Sequence, residues 1–448
     1  MISRVFLLAG LLPLLAAPAF AEPSSFKRDV APLLINNCLA CHGPKKAEGG
    51  YRIDTFERAI AAGDSTQPGF IAKQLEGSEA FRRIVSAEKT ERMPLDGDPL
   101  PPDQVAMIKK WIEEGAVFDG PDPKAPLASY IPPPTHPAAP EAYRGTMPIT
   151  AVEFSPDGKE LFVGGYHEIT VWNPEDGKLL RRFGNVGQRT YALRFTPDGQ
   201  TLAVACGAPG RLGEVRLYKP ATGELVRVLG TTSDVVFDCA FSPQGDRLAT
   251  AAADAAIRVF DPNTGAEQLT ITSHSDWVFA IAWSPDGSKL ASASRDKTAK
   301  VFDAKTGELG ITYSMHNQSV RGVMFHPDGA EVFSTGSDNK LHRWKVADAA
   351  KVAEVNVGGE AYKPAAAAEF FLVPAADNKV HQYGAKDQKS VRDYAGAPDW
   401  ILAAAMHPAT KRIAGGTFDG QVFVWNAEDG KVVTSFHAAP GFVPQEKR

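Results

Sequence analysis

Two thiols and an imidazole stand together in Cys38-Leu39-Ala40-Cys41-His42. Thiols three positions apart share one turn of chain, close enough to form thioethers with the two vinyl groups of a single porphyrin. The imidazole that follows is carried under the ring, where one nitrogen reaches the iron. C-x-x-C-H is therefore read as the attachment sequence of one covalently bound haem c. Plainer readings compete. A structural zinc site needs two more ligands at suitable spacing, and the other cysteines, Cys206 and Cys239, stand alone and far away. A redox C-x-x-C needs a βαβ setting, whereas both flanks here carry helical patterns. A chance match is opposed by the adjacent histidine and by an export signal at the start of the chain.

A closed haem iron needs a second axial ligand from the same region. His42 is the local histidine, which leaves Met93 and Met107. Met107 falls on a helical pattern, where packing explains it. Met93 lies in the loop run Glu91-Arg92-Met93-Pro94-Leu95, and proline stiffens a loop that must hold a weak thioether at fixed distance. Met93 is the expected distal ligand, and His/Met ligation raises a haem's reduction potential.

The elements that must position these groups are short helices. Asp29 is an expected cap for a helix with Pro32 in its first turn and Val30, Leu33 and Leu34 on its apolar face. Ser78 is an expected cap for a helix turning Phe81, Ile84 and Val85 inward. A last helix is predicted over 103–114, with Val105, Ile108, Trp111 and Ile112 at helical spacing and Gly115 as its stop.

Residues 1–21 read as a signal peptide. Arg4 supplies the positive start, Val5 to Ala16 the apolar core, and Ala19-Phe20-Ala21 an A-x-A cleavage site. The expected location is therefore periplasmic, or otherwise exported. No later stretch approaches transmembrane length. About 430 residues remain, enough for two or more domains. With 48 Lys and Arg against 53 Asp and Glu, and no basic run, nucleic acid is not an expected partner.

The run from Phe26 to Ala116 resembles the planctomycete-type cytochrome c domain. The matching segments are Cys38–Gly43, Gly49-Gly50-Tyr51-Arg52-Ile53-Asp54, Arg92-Met93-Pro94 and Trp111-Ile112-Glu113-Glu114-Gly115-Ala116. The resemblance implies haem attachment through Cys38 and Cys41, His42 as proximal ligand and Met93 as distal ligand. Leu95 departs from the family, which usually has a second proline there. The Arg52–Asp54 pair is expected either to brace its loop or to meet a haem propionate.

Residues 22–118 are thus an expected small all-α c-type cytochrome domain, and 119–143 a proline-rich linker. From Gly120 to Pro140 an extended, semi-rigid spacer is expected, with His136 solvated within it.

Beyond the linker the chain repeats itself. Ser155-Pro156-Asp157-Gly158 recurs at 196–199, 242–245, 284–287 and 326–329, and faintly at His407-Pro408. An aromatic closes a β-branched run after each turn: Trp172, Tyr218, Phe260, Phe302, Trp344, Tyr383 and Trp425, spaced 39 to 46 residues apart. The sixth unit keeps the spacing and Asp377 but has lost the turn. Seven units of four short strands make residues 144–440 an expected all-β, seven-bladed propeller. This region resembles the WD-repeat family. The family's His–Ser–Asp–Trp brace is matched by His316, Ser334, Asp338 and Trp344, and by His274, Ser292 and Asp296 with Phe302 in the tryptophan place. Ring closure is open between packing of blades one and seven and an added strand near Tyr143. Cys206 and Cys239 are expected as buried free thiols.

The expected function is electron transfer by a mono-haem cytochrome, with redox partner proteins docking on the propeller or the haem edge. Two other readings remain open. One is an oxidoreductase with a propeller active site fed by haem c, for which His167, His342 and His381 would have to converge. The other is a haem-based redox or ligand sensor, in which the Met93 bond breaks.

Overall fold

The computed structural model describes residues 23–43, 46–95, 97–120, 122–127, 135–367 and 369–442. The expected signal peptide, and Pro132-Pro133-Pro134 of the linker, lie outside the described residues. Two compact units divide the chain, one up to residue 132 and one from residue 133.

In the first unit a π-type turn, Phe26–Val30, runs into α1 (Ala31–Asn37). Asp29 is not its cap. Ser25 is, accepting from the Arg28 N–H at 2.9 Å, while the Asp29 carboxylate accepts from the Ser25 N–H at 2.9 Å. The helical turn begins earlier than the proline implies because this reciprocal pair satisfies its first donors. Among the described residues a short 3-10 turn, Glu48–Gly50, and three more α-helices follow: α2 (Phe56–Ile60), α3 (Glu79–Ile84) and α4 (Pro102–Glu113). Ser78 precedes α3 without capping it. Its buried hydroxyl accepts from the Ile71 N–H at 2.8 Å and bonds the Gln74 carbonyl at 2.7 Å, tying down the preceding loop. Phe81 and Ile84 face inward as expected, but Val85 lies beyond the helix and is exposed. Gly115 stops α4 at φ 113°, a backbone setting L side chains resist. The core joins Phe26, Val30, Leu34, Phe56, Ile108 and Trp111. Phe26 meets Trp111 at 5.4 Å, so the first and last helical segments pack on each other.

In the second unit, seven sheets of four consecutive antiparallel strands follow one another. The blades span Val152–Phe183, Arg189–Thr232, Val236–Ile271, Val278–Tyr313, Val320–Asn356, Ala365–Tyr394 and Ile401–His437. First strands of most neighbouring blades adjoin, including those of blades 1 and 7, so they line the inside of a closed ring. The recurring four-residue turn joins strands one and two. Gly158, Gly199, Gly245, Gly287 and Gly329 all sit at φ 70–76°, the left-handed setting that makes glycine the favoured residue there. In blade 1 the Gly158 N–H donates to the Ser155 carbonyl at 2.8 Å, and the Ser155 hydroxyl to Asp157 at 2.7 Å.

The ring closes by packing. Blades 1 and 7 share one core containing Val152, Phe154, Trp172, Val422 and Val424. Trp172 stacks on Phe436 at 4.5 Å, and Arg412 forks onto Glu175 at 2.8 and 2.9 Å. Among the described residues no strand near Tyr143 joins a blade. Tyr143 instead tethers the seam: its N–H donates to the Pro440 carbonyl at 2.9 Å and its hydroxyl to buried Glu168 at 2.7 Å.

Residues 135–143 are not a solvated spacer. The His136 N–H donates to the Asn185 side chain at 2.9 Å, and its ring bonds the Glu214 carboxylate. Arg182 donates to the carbonyls of Pro140 and Glu141. Glu214 is fully buried beside Arg216, and a buried carboxylate needs every donor it can reach. That demand draws His136 down.

Candidate functional site

Each expected ligand has a definite place in the first unit. Cys38 is the C-cap of α1, its N–H donating to the Leu34 carbonyl at 2.9 Å. The chain then turns on itself, and the Cys41 and His42 N–H groups both donate to the Cys38 carbonyl, at 3.2 and 3.0 Å. This turn gathers both thiols and the imidazole in one place. Across the cavity, the Met93 N–H donates to the Arg83 carbonyl at 3.0 Å, anchoring the Met93-Pro94 loop to the end of α3. Met93-Pro94 is a cis peptide.

Cys38, His42 and Met93 line one cavity of about 620 Å³, together with Leu34, Tyr51, Ile53, Phe70 and Ile84. A second cavity of about 210 Å³ has Cys41 in its wall and also meets Cys38, His42 and Met93. Met107 lines neither cavity.

The donor set is chemically suited to a haem iron and its vinyl groups. His42 Nδ1 lies 3.2 Å from the Tyr51 carbonyl oxygen. A carbonyl only accepts, so Nδ1 carries the proton and Nε2 keeps its lone pair for a metal. Met93 supplies a neutral thioether. Burial pushes the Cys38 thiol up to about 12, with Cys41 adding to it, so Cys38 is held as a neutral thiol. The larger cavity falls within the usual size range of cofactor pockets, and its apolar wall is of the usual kind. Arg92 Nε, one residue from Met93, is buried without a hydrogen-bond acceptor. These residues fit a haem c.

Arg52 forks onto Asp54 at 2.8 Å through both guanidinium contacts, and neither residue lines either cavity. The pair braces its loop. Tyr51, which the sequence offered only as part of a matching segment, does more than that. It supplies the carbonyl for His42, while its hydroxyl reaches back to the Ala59 carbonyl at 2.5 Å. A Cβ at Gly69 would overlap that hydroxyl, so the close approach requires glycine there.

In the propeller the brace residues assemble as expected. His316 Nδ1 meets Asp338 at 3.0 Å and Nε2 meets Ser334 Oγ at 2.9 Å, while Trp344 Nε1 donates to that same Oγ at 3.2 Å. His274 repeats the pattern with Asp296 at 2.8 Å and Ser292 at 2.7 Å, but Phe302 has no N–H to complete it. His167, His342 and His381 do not converge. His167 bonds the Val186 carbonyl at 3.1 Å, His342 the Tyr313 hydroxyl at 2.8 Å, and His381 meets Asp393 and Asp377 at 2.8 and 3.0 Å. His342 also lies near His316 and Asp338 in a grouping of metal-ligand type. Both His316 nitrogens are already committed to the brace. Cys206 and Cys239 are buried free thiols, as expected.

Comparison with known families agrees with this division. Residues 38–97 match the family described as Planctomycete cytochrome C, a span that contains Cys38, Cys41, His42 and Met93. Residues 223–261, 265–303, 307–345 and 388–426 match the WD domain, G-beta repeat. Each repeat so matched takes the outer strand of one blade and three strands of the next. No curated protein matches the chain. The chain therefore joins a cytochrome c-like region to a seven-bladed WD-repeat propeller.

Proposed function

We propose that this chain is an exported, mono-haem c-type electron carrier whose propeller docks its redox partner. The observation that carries this reading is that Met93 shares an apolar cavity with the Cys38–His42 run. Cys38 and Cys41 would hold the porphyrin as thioethers, and His42 Nε2 and Met93 Sδ would take the iron. When bound, the haem supplies a one-electron couple, which this ligand pair sets toward higher potential.

The protein's part is positioning and exclusion. The Tyr51 carbonyl fixes the His42 proton on Nδ1. The Arg83 carbonyl holds the Met93 backbone. Leu34, Ile53, Phe70 and Ile84 keep the wall apolar. His42 and Met93 together would satisfy the iron from the protein and leave no place there for a substrate, which favours electron transfer over chemistry at the metal.

Exposed aromatic groups support docking on the propeller. Trp277 and Trp400 stand just before the first strands of blades 4 and 7, and each carbonyl accepts from a later turn of its own blade, at 2.9 and 2.8 Å. The repeat therefore places both at the same end of the ring. They are 37% and 46% exposed, and Trp400 packs on exposed Phe418 at 5.7 Å. Aromatic residues of this kind anchor protein interfaces. Among the described residues no helix is long and apolar enough to cross a membrane.

Absorption spectra of the haem-loaded protein test the reading. The expected result is a low-spin spectrum with a methionine–ferric charge-transfer band, unmoved by carbon monoxide and lost in Met93→Ala. A high-spin spectrum with ready carbon monoxide binding would overturn the Met93 assignment and favour a sensor.

A further inference from the structure

The propeller axis holds a further cavity, of about 250 Å³, walled by residues from all seven blades. Its charged wall is one-sided. Arg194, Arg321 and Lys363 line it, and no carboxylate does. The acidic partners lie behind these cations. Arg194 reaches Glu153 at 3.1 Å and Asp238 at 3.9 Å, the Lys363 ammonium bonds Asp238, and Arg321 Nε donates to Glu360 at 2.6 Å. Asp238 is fully buried, and its Oδ2 also accepts from the Ile281 N–H at 2.9 Å. Fixed in this way, the acids hold three cationic groups in the wall of the channel.

The rest of the wall is largely apolar, with Tyr191, Phe237, Phe279 and Tyr362 as its aromatic part. Phe237 meets Tyr191 at 5.4 Å and Phe279 at 5.1 Å, and the Arg321 guanidinium lies over Phe279 at 4.5 Å. Planar guanidinium groups match a carboxylate better than a spherical ion, and ring faces favour a flat apolar body. The volume falls just below the usual range for drug-sized ligands, which restricts the occupant to about one ring.

We propose that the axial cavity is a binding site for a one-ring aromatic carboxylate, its carboxylate on Lys363, Arg194 and Arg321 and its ring against Phe237 and Phe279. Burial pushes Lys363 down to about 8, so an entering anion also relieves a cation short of solvent.

Calorimetric titration of the full chain with sodium benzoate, and separately with inorganic phosphate, tests the assignment. Saturable benzoate binding at one site per chain is expected, with phosphate much weaker. The paired variant Lys363→Met/Asp238→Asn removes a cation together with its buried counter-charge. It should weaken benzoate roughly tenfold or more, the cost of a lost charge-assisted contact. If that variant loses its cooperative melt, Arg321→Gln, at a partly exposed position, carries the same test. Absence of saturable benzoate binding, unchanged affinity in the folded variant, or phosphate binding as tight as benzoate would each overturn the proposal.

Discussion

His42 turns its Nδ1 toward the carbonyl oxygen of Tyr51, 3.2 Å away, and this one contact decides which imidazole nitrogen is free. The same tyrosine is pinned at its far end by the Ala59 carbonyl. Tyr51→Phe should therefore cost about 1 kcal/mol in the stability of the first unit while leaving the His42 contact in place, because that contact uses the backbone. Gly69→Ala should cost more, since the added methyl group displaces the ring itself. Thermal melts of the haem-loaded protein, followed in the haem absorption, separate the two. Equal effects would deny Tyr51 its positioning role.

The two braced blades differ by one N–H, and their serines should differ accordingly. Ser334→Ala leaves both His316 Nε2 and Trp344 Nε1 without a partner, whereas Ser292→Ala strands only His274. The expected losses are about 2–4 kcal/mol for the first and about 1–2 kcal/mol for the second. Urea unfolding of the two variants checks the order, and a larger loss for Ser292→Ala would contradict it.

Acid should weaken the propeller through one buried histidine. Burial, followed by the charge of His316, pushes His342 down to about 4 from an ordinary 6.5. Its ring stacks on His316 at 4.0 Å and faces the Tyr313 hydroxyl and Glu354, with Asp338 and Lys351 nearby. As pH falls below about 6.5 the unfolded chain takes up this proton first. Stability present above that pH is therefore lost progressively toward about 4, by up to about 3 kcal/mol. His342→Gln should flatten melting temperature against pH in that window. An unchanged slope in the variant would assign the loss elsewhere.

The seam between blades 1 and 7 carries the closure of the ring. Trp172→Ala removes the stack on Phe436 and opens the shared core, at an expected cost of about 3–5 kcal/mol. Tyr143→Phe deletes the hydroxyl's bond to Glu168, which Arg182 still holds, and the one it accepts from the Tyr166 N–H at 3.0 Å, and should cost about 1–2 kcal/mol. Denaturant midpoints measure both. A severe effect of Tyr143→Phe with a mild one for Trp172→Ala would mean the tether closes the ring, not the packing.

His136 should behave as a structural residue. His136→Ala leaves Glu214 with Arg216 and the more distant Cys206 thiol, with an expected loss of about 1–3 kcal/mol. Solvent-like behaviour, with stability unchanged, would return this segment to the status of a spacer.

Much of this protein was legible in local order along the chain. Cys38, Cys41 and His42 are neighbours in sequence, so their meeting needs only one turn of backbone. The Ser-Pro-Asp-Gly turns are equally local, since a glycine at positive φ and its hydroxyl and carboxylate partners lie within four residues. Five copies of that turn, a faint trace at His407-Pro408 and seven evenly spaced aromatics declared the blades. What the sequence left undecided were relations between distant residues. The Tyr51 carbonyl carries no side-chain signature, so its role toward His42 appears only once the loop is folded. His136 looked like a linker residue because the buried Glu214 that attracts it is 78 positions away. Ring closure by Trp172 on Phe436, and the gathering of Arg194, Arg321 and Lys363 on the axis, depend on blades that meet only after the ring forms. Backbone turns are written in adjacent residues, whereas burial and charge pairing are properties of the assembled fold.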